Sequence, residues 1–161
     1  MPNWAKNQLT ITGPSDALDD FQQKAKGQVP LSADQTEDSD LCFHNFVPVD
    51  RETESQVKAW GTKWEADGVN ADRPNSTTLS YSFLTAWSPP EHFVRRVSAD
   101  YPTLTFELWS ADPAMDWHYY LSVKAGETIS EQQTTYDEEA ADFWGDEQIE
   151  EVGSNGEATN P

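Results

Sequence analysis

The chain has one cysteine, Cys42, in 161 residues. No internal disulfide can form, and neither a thiolate-held iron–sulfur cluster nor a zinc site built on paired thiolates has its ligands. Positive charge is almost as scarce. Ten Lys and Arg stand against 29 Asp and Glu, giving a formal net charge of -19. Such a surface repels nucleic acid and lipid headgroups and attracts basic surfaces. Long apolar runs are missing too. None approaches the roughly 20 residues of a membrane span, and the opening Met1-Pro2-Asn3-Trp4-Ala5-Lys6 has no signal-peptide core. The expectation is an intracellular, cytoplasmic protein, in which the acceptor pattern Asn75-Ser76-Thr77 has no meaning for glycosylation. There is also no glycine loop for phosphates and no serine on a nucleophile elbow.

What the chain does have is rings and carboxylates. Seven Trp, seven Phe and five Tyr provide the area for an aromatic-rich core, so the body is expected to fold despite its polarity. The acids are unevenly placed. Nine of them lie between Asp137 and Pro161 with no base among them, so the charge divides into about -10 for residues 1–136 and -9 for the remainder. The expected organisation is one domain over residues 1–136 and an acidic tail over 137–161, either partly disordered or a short amphipathic helix broken at Gly145.

Periodicity places the elements. Gln8 to Thr12 alternates as a half-buried strand, stopped by Gly13-Pro14. Ser15 or Asp16 then caps a helix with Ala17, Leu18, Phe21 and Ala25 on its buried face and Gly27 at its end. Residues 30–40 read as an acidic loop, and residues 41–49 as a second strand whose end is confined to an edge by Pro48. A short helix follows over 53–60, with Val57 and Trp60 on one side and Gly61 as a left-handed stop. Trp64 falls in an extended segment, and residues 67–76 form a loop or irregular edge. Residues 77–87 give the clearest strand, Leu79, Tyr81 and Phe83 alternating with Ser80 and Ser82. Ser88-Pro89-Pro90-Glu91 has the form of a capping box ahead of a helix striped by Phe93, Val94, Val97 and Tyr101 and closed by Pro102. Strands over 103–109 and 117–123 come next, then a turn at Ala125-Gly126 and a returning edge over 127–135. The order implies an α+β fold, an antiparallel sheet with helices on one face.

Several motifs add to this: the initial Met-Pro-Asn-Trp, Leu9-Thr10-Ile11-Thr12-Gly13-Pro14, Trp60-Gly61-Thr62-Lys63-Trp64, Thr85-Ala86-Trp87-Ser88-Pro89-Pro90 and Tyr101-Pro102-Thr103-Leu104-Thr105-Phe106-Glu107-Leu108, with the stretch around Asp116-Trp117. In that order they resemble the YubB-type ferredoxin-like domain family over residues 1–135. The resemblance implies a ferredoxin-like sheet with helices packed on one face, in proteins encoded by phages, plasmids and integrated elements. It brings no catalytic residues with it. The cysteine that often follows the initial Trp in that family is Ala5 here, and the tail after Thr135 lies outside the resemblance.

Candidate chemistry is thin. His118 beside Asp116, with Tyr120 nearby, has the makings of an oriented base, against the plainer reading of an exposed strand histidine. Cys42 and His44, two apart on the expected strand, would share a face as a dyad requires, against a buried thiol beside a structural histidine. No acidic loop has calcium-ligand spacing, and no cofactor is expected. Trp60, Trp64, Trp87, Trp109 and Trp117 would suit a base-stacking platform, but too few cations accompany them and core packing explains most of them.

The reading that results is a non-enzymatic mobile-element protein. It would bind a basic, nucleic-acid-handling host protein or defence complex through acidic surface, as an anti-defence inhibitor or nucleic-acid mimic, with no direct contact to nucleic acid or membrane. The expected contact residues are Asp137, Glu138, Glu139, Asp142, Trp144, Asp146, Glu147, Glu150 and Glu151. Two alternatives remain open at this point: an accessory protein of the element whose acidity reflects salt adaptation, and an enzyme with a site near His118.

Overall fold

The computed structural model of the chain describes residues 3–136. Strand β1 (Trp4–Thr12) leads into helix α1 (Ser15–Ala25), then β2 (Gly27–Ser32), β3 (Gln35–Ser39), a 3-10 turn (Phe43–Asn45) and α2 (Thr53–Trp60). After these come β4 (Asp67–Asn75), β5 (Thr78–Ala86), α3 (Glu91–Asp100), β6 (Thr105–Asp112), β7 (Trp117–Lys124) and β8 (Glu127–Thr134). Six strands form one sheet in the order β4-β5-β1-β6-β7-β8, each pair antiparallel, while β2 and β3 form a separate ribbon. Placing β1 between β5 and β6 leaves α1 and α3 as crossovers of two split β-α-β units, which is the ferredoxin-like arrangement. The strands β7 and β8 widen the sheet beyond it, and residues 27–60 are inserted between α1 and β4.

Register explains why, among the described residues, the helices cover one face. Leu9 pairs with Tyr81 and Leu108, Ile11 with Leu79 and Phe106, and Leu121 with Leu108. Each pairing puts apolar side chains on the same side of the pleat. Leu18, Phe21 and Ala25 of α1, Trp60 of α2, and Phe93, Val94 and Val97 of α3 pack against that side, with Phe43 and Phe46 filling between them. Rings make many of the contacts: Phe21 stacks on Phe46 at 4.6 Å and Phe43 lies 4.3 Å from Phe93. The other face carries Gln8, Ser80, Ser82 and Ser122, with Trp109 and Tyr120 in contact at 4.2 Å. Among the described residues no helix is long and apolar enough to cross a membrane.

Several expectations are corrected. Residues 30–40 are a hairpin ribbon, joined by pairs such as Val29 with Glu37 and by Gln28 donating to Asp38 at 3.1 Å. Only Val29 is buried there, so no alternation of apolar residues marks the strands in the sequence. Residues 41–49 form no strand. Their apolar run is buried, but a carboxylate from elsewhere takes the N–H groups of Phe43 and His44 that a ladder would have used.

Capping differs as well. Pro14 occupies the position before α1, and neither Ser15 nor Asp16 caps it, although Asp16 accepts from the N–H of Ala17 at 2.9 Å. Lys26 ends that helix, and Gly27 starts β2. A side chain at 27 would collide with Asn45, whose amide donates to the carbonyls of Lys24 and Lys26 at 3.0 and 2.9 Å. Ser88 is no capping residue. Its hydroxyl donates to the carbonyl of Gly61 at 2.6 Å, and α3 begins two residues after Pro89, because the residue before a proline is kept out of helical geometry. Gly61 does end α2 at φ 89, but Val57 faces solvent and Gln56 takes the buried place beside Trp60.

Candidate functional site

The insertion between α1 and β4 builds the most developed site of the described residues. Glu65, on the connection from α2 to β4, is buried although charged. Its carboxylate accepts from the N–H of Phe43 at 2.6 Å, the N–H of His44 at 3.1 Å and Arg51 Nη1 at 2.8 Å. The Cys42 thiol donates to it at 3.5 Å. A buried carboxylate is tolerable only with such partners, and here they clamp the 42–45 turn to the start of β4.

Around this clamp opens a cleft of about 390 Å³, between the β2–β3 ribbon, Trp4 and the Trp64–Asp67 segment. Val29, Pro30 and Leu31 give it one apolar wall, and the rings of Trp4 and Trp64, 6.0 Å apart at 49°, give the other. Glu37 and Asp67 stand in its lining. Their side chains make no hydrogen bond or ion pair among the described residues. A second cleft of about 300 Å³, sharing Glu37 and Ala66 with the first, is edged by Asp38 and Asp40. Lys63 lies next to these clefts, its Nζ 4.4 Å from the Trp64 ring and 4.1 Å from that of Trp87. Both indoles are solvent-exposed, at 39% and 48%. Trp87 has φ 76, a left-handed conformation unfavourable to a bulky side chain.

The residues singled out in the sequence are distributed otherwise. Cys42 and His44 do not form a dyad. The thiol is buried and directed to Glu65 and the Gln28 carbonyl, while His44 Nδ1 accepts from the N–H of Val49 at 3.4 Å. Burial, reinforced by the Glu65 charge, pushes the Cys42 pKa up and keeps the thiol protonated. His118 is buried, contrary to the exposed position expected, because Tyr136 stacks on its ring at 4.7 Å. Asp116 accepts from the N–H of Tyr136 at 3.1 Å, and the Tyr120 hydroxyl donates to Glu107 at 2.8 Å. Among the described residues no three His, Cys, Asp or Glu side chains converge to hold a metal ion.

Of the five tryptophans considered as a platform, Trp60 is in the core, Trp117 packs at its margin and Trp109 lies against Tyr120 on the opposite face of the sheet, while Trp64 and Trp87 are at the surface. Trp4, half-buried beside Trp64, was not among them. It lies ahead of the strand expected over Gln8–Thr12 but inside β1 as folded, and residues 4 and 64 meet through the tertiary fold alone. Asp137, Glu138, Glu139, Asp142, Trp144, Asp146, Glu147, Glu150 and Glu151 lie outside the described residues.

No curated protein matches the chain. Among solved structures, the crystal structure of a protein Api92 from Yersinia pseudotuberculosis superposes with a TM-score of 0.66 at 11% identity, covering 85% of this chain and 99% of that one. At that identity the likeness is one of fold. A family model described as the ferredoxin-like domain in Api92-like protein matches residues 59–153, more than half of the chain. The six-stranded sheet, its two helical crossovers and this match together place the chain in the family of Api92-like ferredoxin-like domains.

Proposed function

We propose that the chain is a non-enzymatic binding protein of a mobile element, taking a basic, nucleic-acid-handling protein of the host cell as its partner. Carboxylates held on a rigid sheet replace the phosphates that the partner's basic groove otherwise contacts. One observation carries this reading: the fold neutralises its own strongest cations. Arg51 pairs with Glu65, Arg73 with Asp19, Arg95 with Glu91 and Glu131, and Arg96 with Asp100, all within 3.3 Å. The chain has no other arginine, so fifteen further carboxylates of residues 1–136 face only six lysines. The nine acids after Tyr136 add to the same sign. The resemblance to the YubB-type family supports the phage or plasmid setting, in which an inhibitor of host defence is the natural role for such a surface.

Affinity capture from a host lysate by the full chain, at about 0.1 M and again at several-fold higher salt, tests the proposal. A basic nucleic-acid-binding protein should be retained at low salt, released by salt, and displaced by short duplex DNA. Reversing the charge of Glu138, Glu139, Glu147 and Glu150 together should weaken that capture. Retention that strengthens with salt would favour the salt-adapted accessory reading, and capture of no basic protein would end the proposal.

A further inference from the structure

The cleft between Trp4 and Trp64 is suited to one kind of occupant. We infer that it anchors a single cationic side chain, arginine or lysine, projecting from the partner. This rests on the partner being basic and adds where, and by which residue type, it is gripped.

Size is the first consideration. A volume of about 390 Å³ falls within the range of pockets that take small ligands, and accommodates one long side chain with its flanking backbone. The walls come next. Val29, Pro30 and Leu31 offer apolar surface to a methylene stem, and the two indole rings offer π-faces to its charged head. Charge decides the sign. The lining has one cation, Arg51, and Glu65 already pairs with it at 2.8 Å. Glu37 and Asp67 remain, with no ion pair among the described residues, so an entering cation is attracted and an anion is opposed.

The protein itself holds a cation at one of these rings, that of Trp64. Lys63 sits over both Trp64 and Trp87, so this corner already demonstrates cation binding by exposed indoles. A second copy of this chain fits poorly as occupant, since each copy carries a net charge of -19.

The experiment titrates the full-length, indole-labelled protein with an octapeptide of alternating Arg and Gly at low salt. The same peptide with citrulline for arginine, equal in shape but uncharged, serves as the control. The arginine peptide should shift the indole N–H resonances of Trp4 and Trp64, and the citrulline peptide should leave them in place. Trp64→Ala should weaken binding roughly three- to thirtyfold, and a Glu37→Gln, Asp67→Asn double variant should weaken it in the same direction. Lys63→Gln, which removes the resident competitor, should tighten it. Trp64 is exposed, Lys63 is half-buried, and neither belongs to the core cluster, so these variants fold.

If the arginine peptide binds but Trp64→Ala and the double variant leave its affinity unchanged, the anchor is refuted while the acidic-surface reading survives. Equal shifts from the citrulline peptide would make the cleft an apolar site and refute the anchor too. No binding of the arginine peptide at low salt would overturn both.

Discussion

Replacing Glu65 by Gln probes whether one buried carboxylate holds the insertion to the sheet. The substitution keeps size and shape but removes the charge and turns one acceptor oxygen into an NH2 group. The native carboxylate accepts from Phe43 N–H, His44 N–H, Arg51 and the Cys42 thiol. A glutamine carbonyl can still serve one set of donors, but its NH2 must then face an N–H group. A hydrogen bond to a charged group contributes roughly 1.5–3 kcal/mol, and a buried donor left without an acceptor costs about 1–3 kcal/mol. The Arg51 side chain is 35% exposed, and water will satisfy part of what it loses. The expected loss is therefore about 2–4 kcal/mol. Arg51→Met removes only one of the donors and leaves the two backbone contacts, so about 1 kcal/mol is expected there. Urea unfolding followed by tryptophan fluorescence measures both, with an unchanged slope showing that the same surface is exposed. At 3 kcal/mol the melting temperature should fall by roughly 6–12 °C for a chain of this size. A Glu65→Gln variant as stable as Arg51→Met would refute the claim that the backbone donors depend on this carboxylate.

Other outcomes follow from the same geometry. Burial raises the pKa of Tyr81, Tyr101, Tyr119 and Tyr120, with acidic hydrogen-bond partners adding to the effect at the last three. A raised folded-state value means that stability is fully present below the unfolded tyrosine value near 10 and is lost as pH climbs beyond it. Absorbance titration at alkaline pH should show these phenols ionising late and together with unfolding, and early, reversible ionisation of all four would contradict the structure. At Trp87 the sign of a common rule should invert. Trp87→Gly should be more stable than Trp87→Ala by about 1 kcal/mol, because only glycine is at ease at φ 76; thermal melts of the two variants decide it.

Elements with a strong period were legible in the sequence. The alternation of Leu79, Tyr81 and Phe83 in β5, the stripe of Phe93, Val94 and Val97 in α3, and Gly61 as the stop of α2 all stand in the structure as expected. Where the period is silent, reading failed. The β2–β3 ribbon has exposed residues on both faces, so nothing in its side chains reports the backbone pairing. The apolar run at 41–49 was ambiguous for the opposite reason, being buried without a sheet partner. The candidate cleft was invisible because its parts, Trp4, Leu31, Glu37 and the Trp64–Asp67 segment, come from four separate stretches with no shared spacing.

By itself, then, the sequence determined the sign of the net charge, the exclusion of an internal disulfide and of paired-thiolate metal sites, and the α+β class, since composition and local period depend on no distant contact. Tertiary structure decided which rings are displayed and which are buried, and which carboxylates are neutralised. It also decided that Glu65 would anchor a turn about twenty residues away. Those properties belong to pairs of residues, and a pair exists only once the chain has closed on itself.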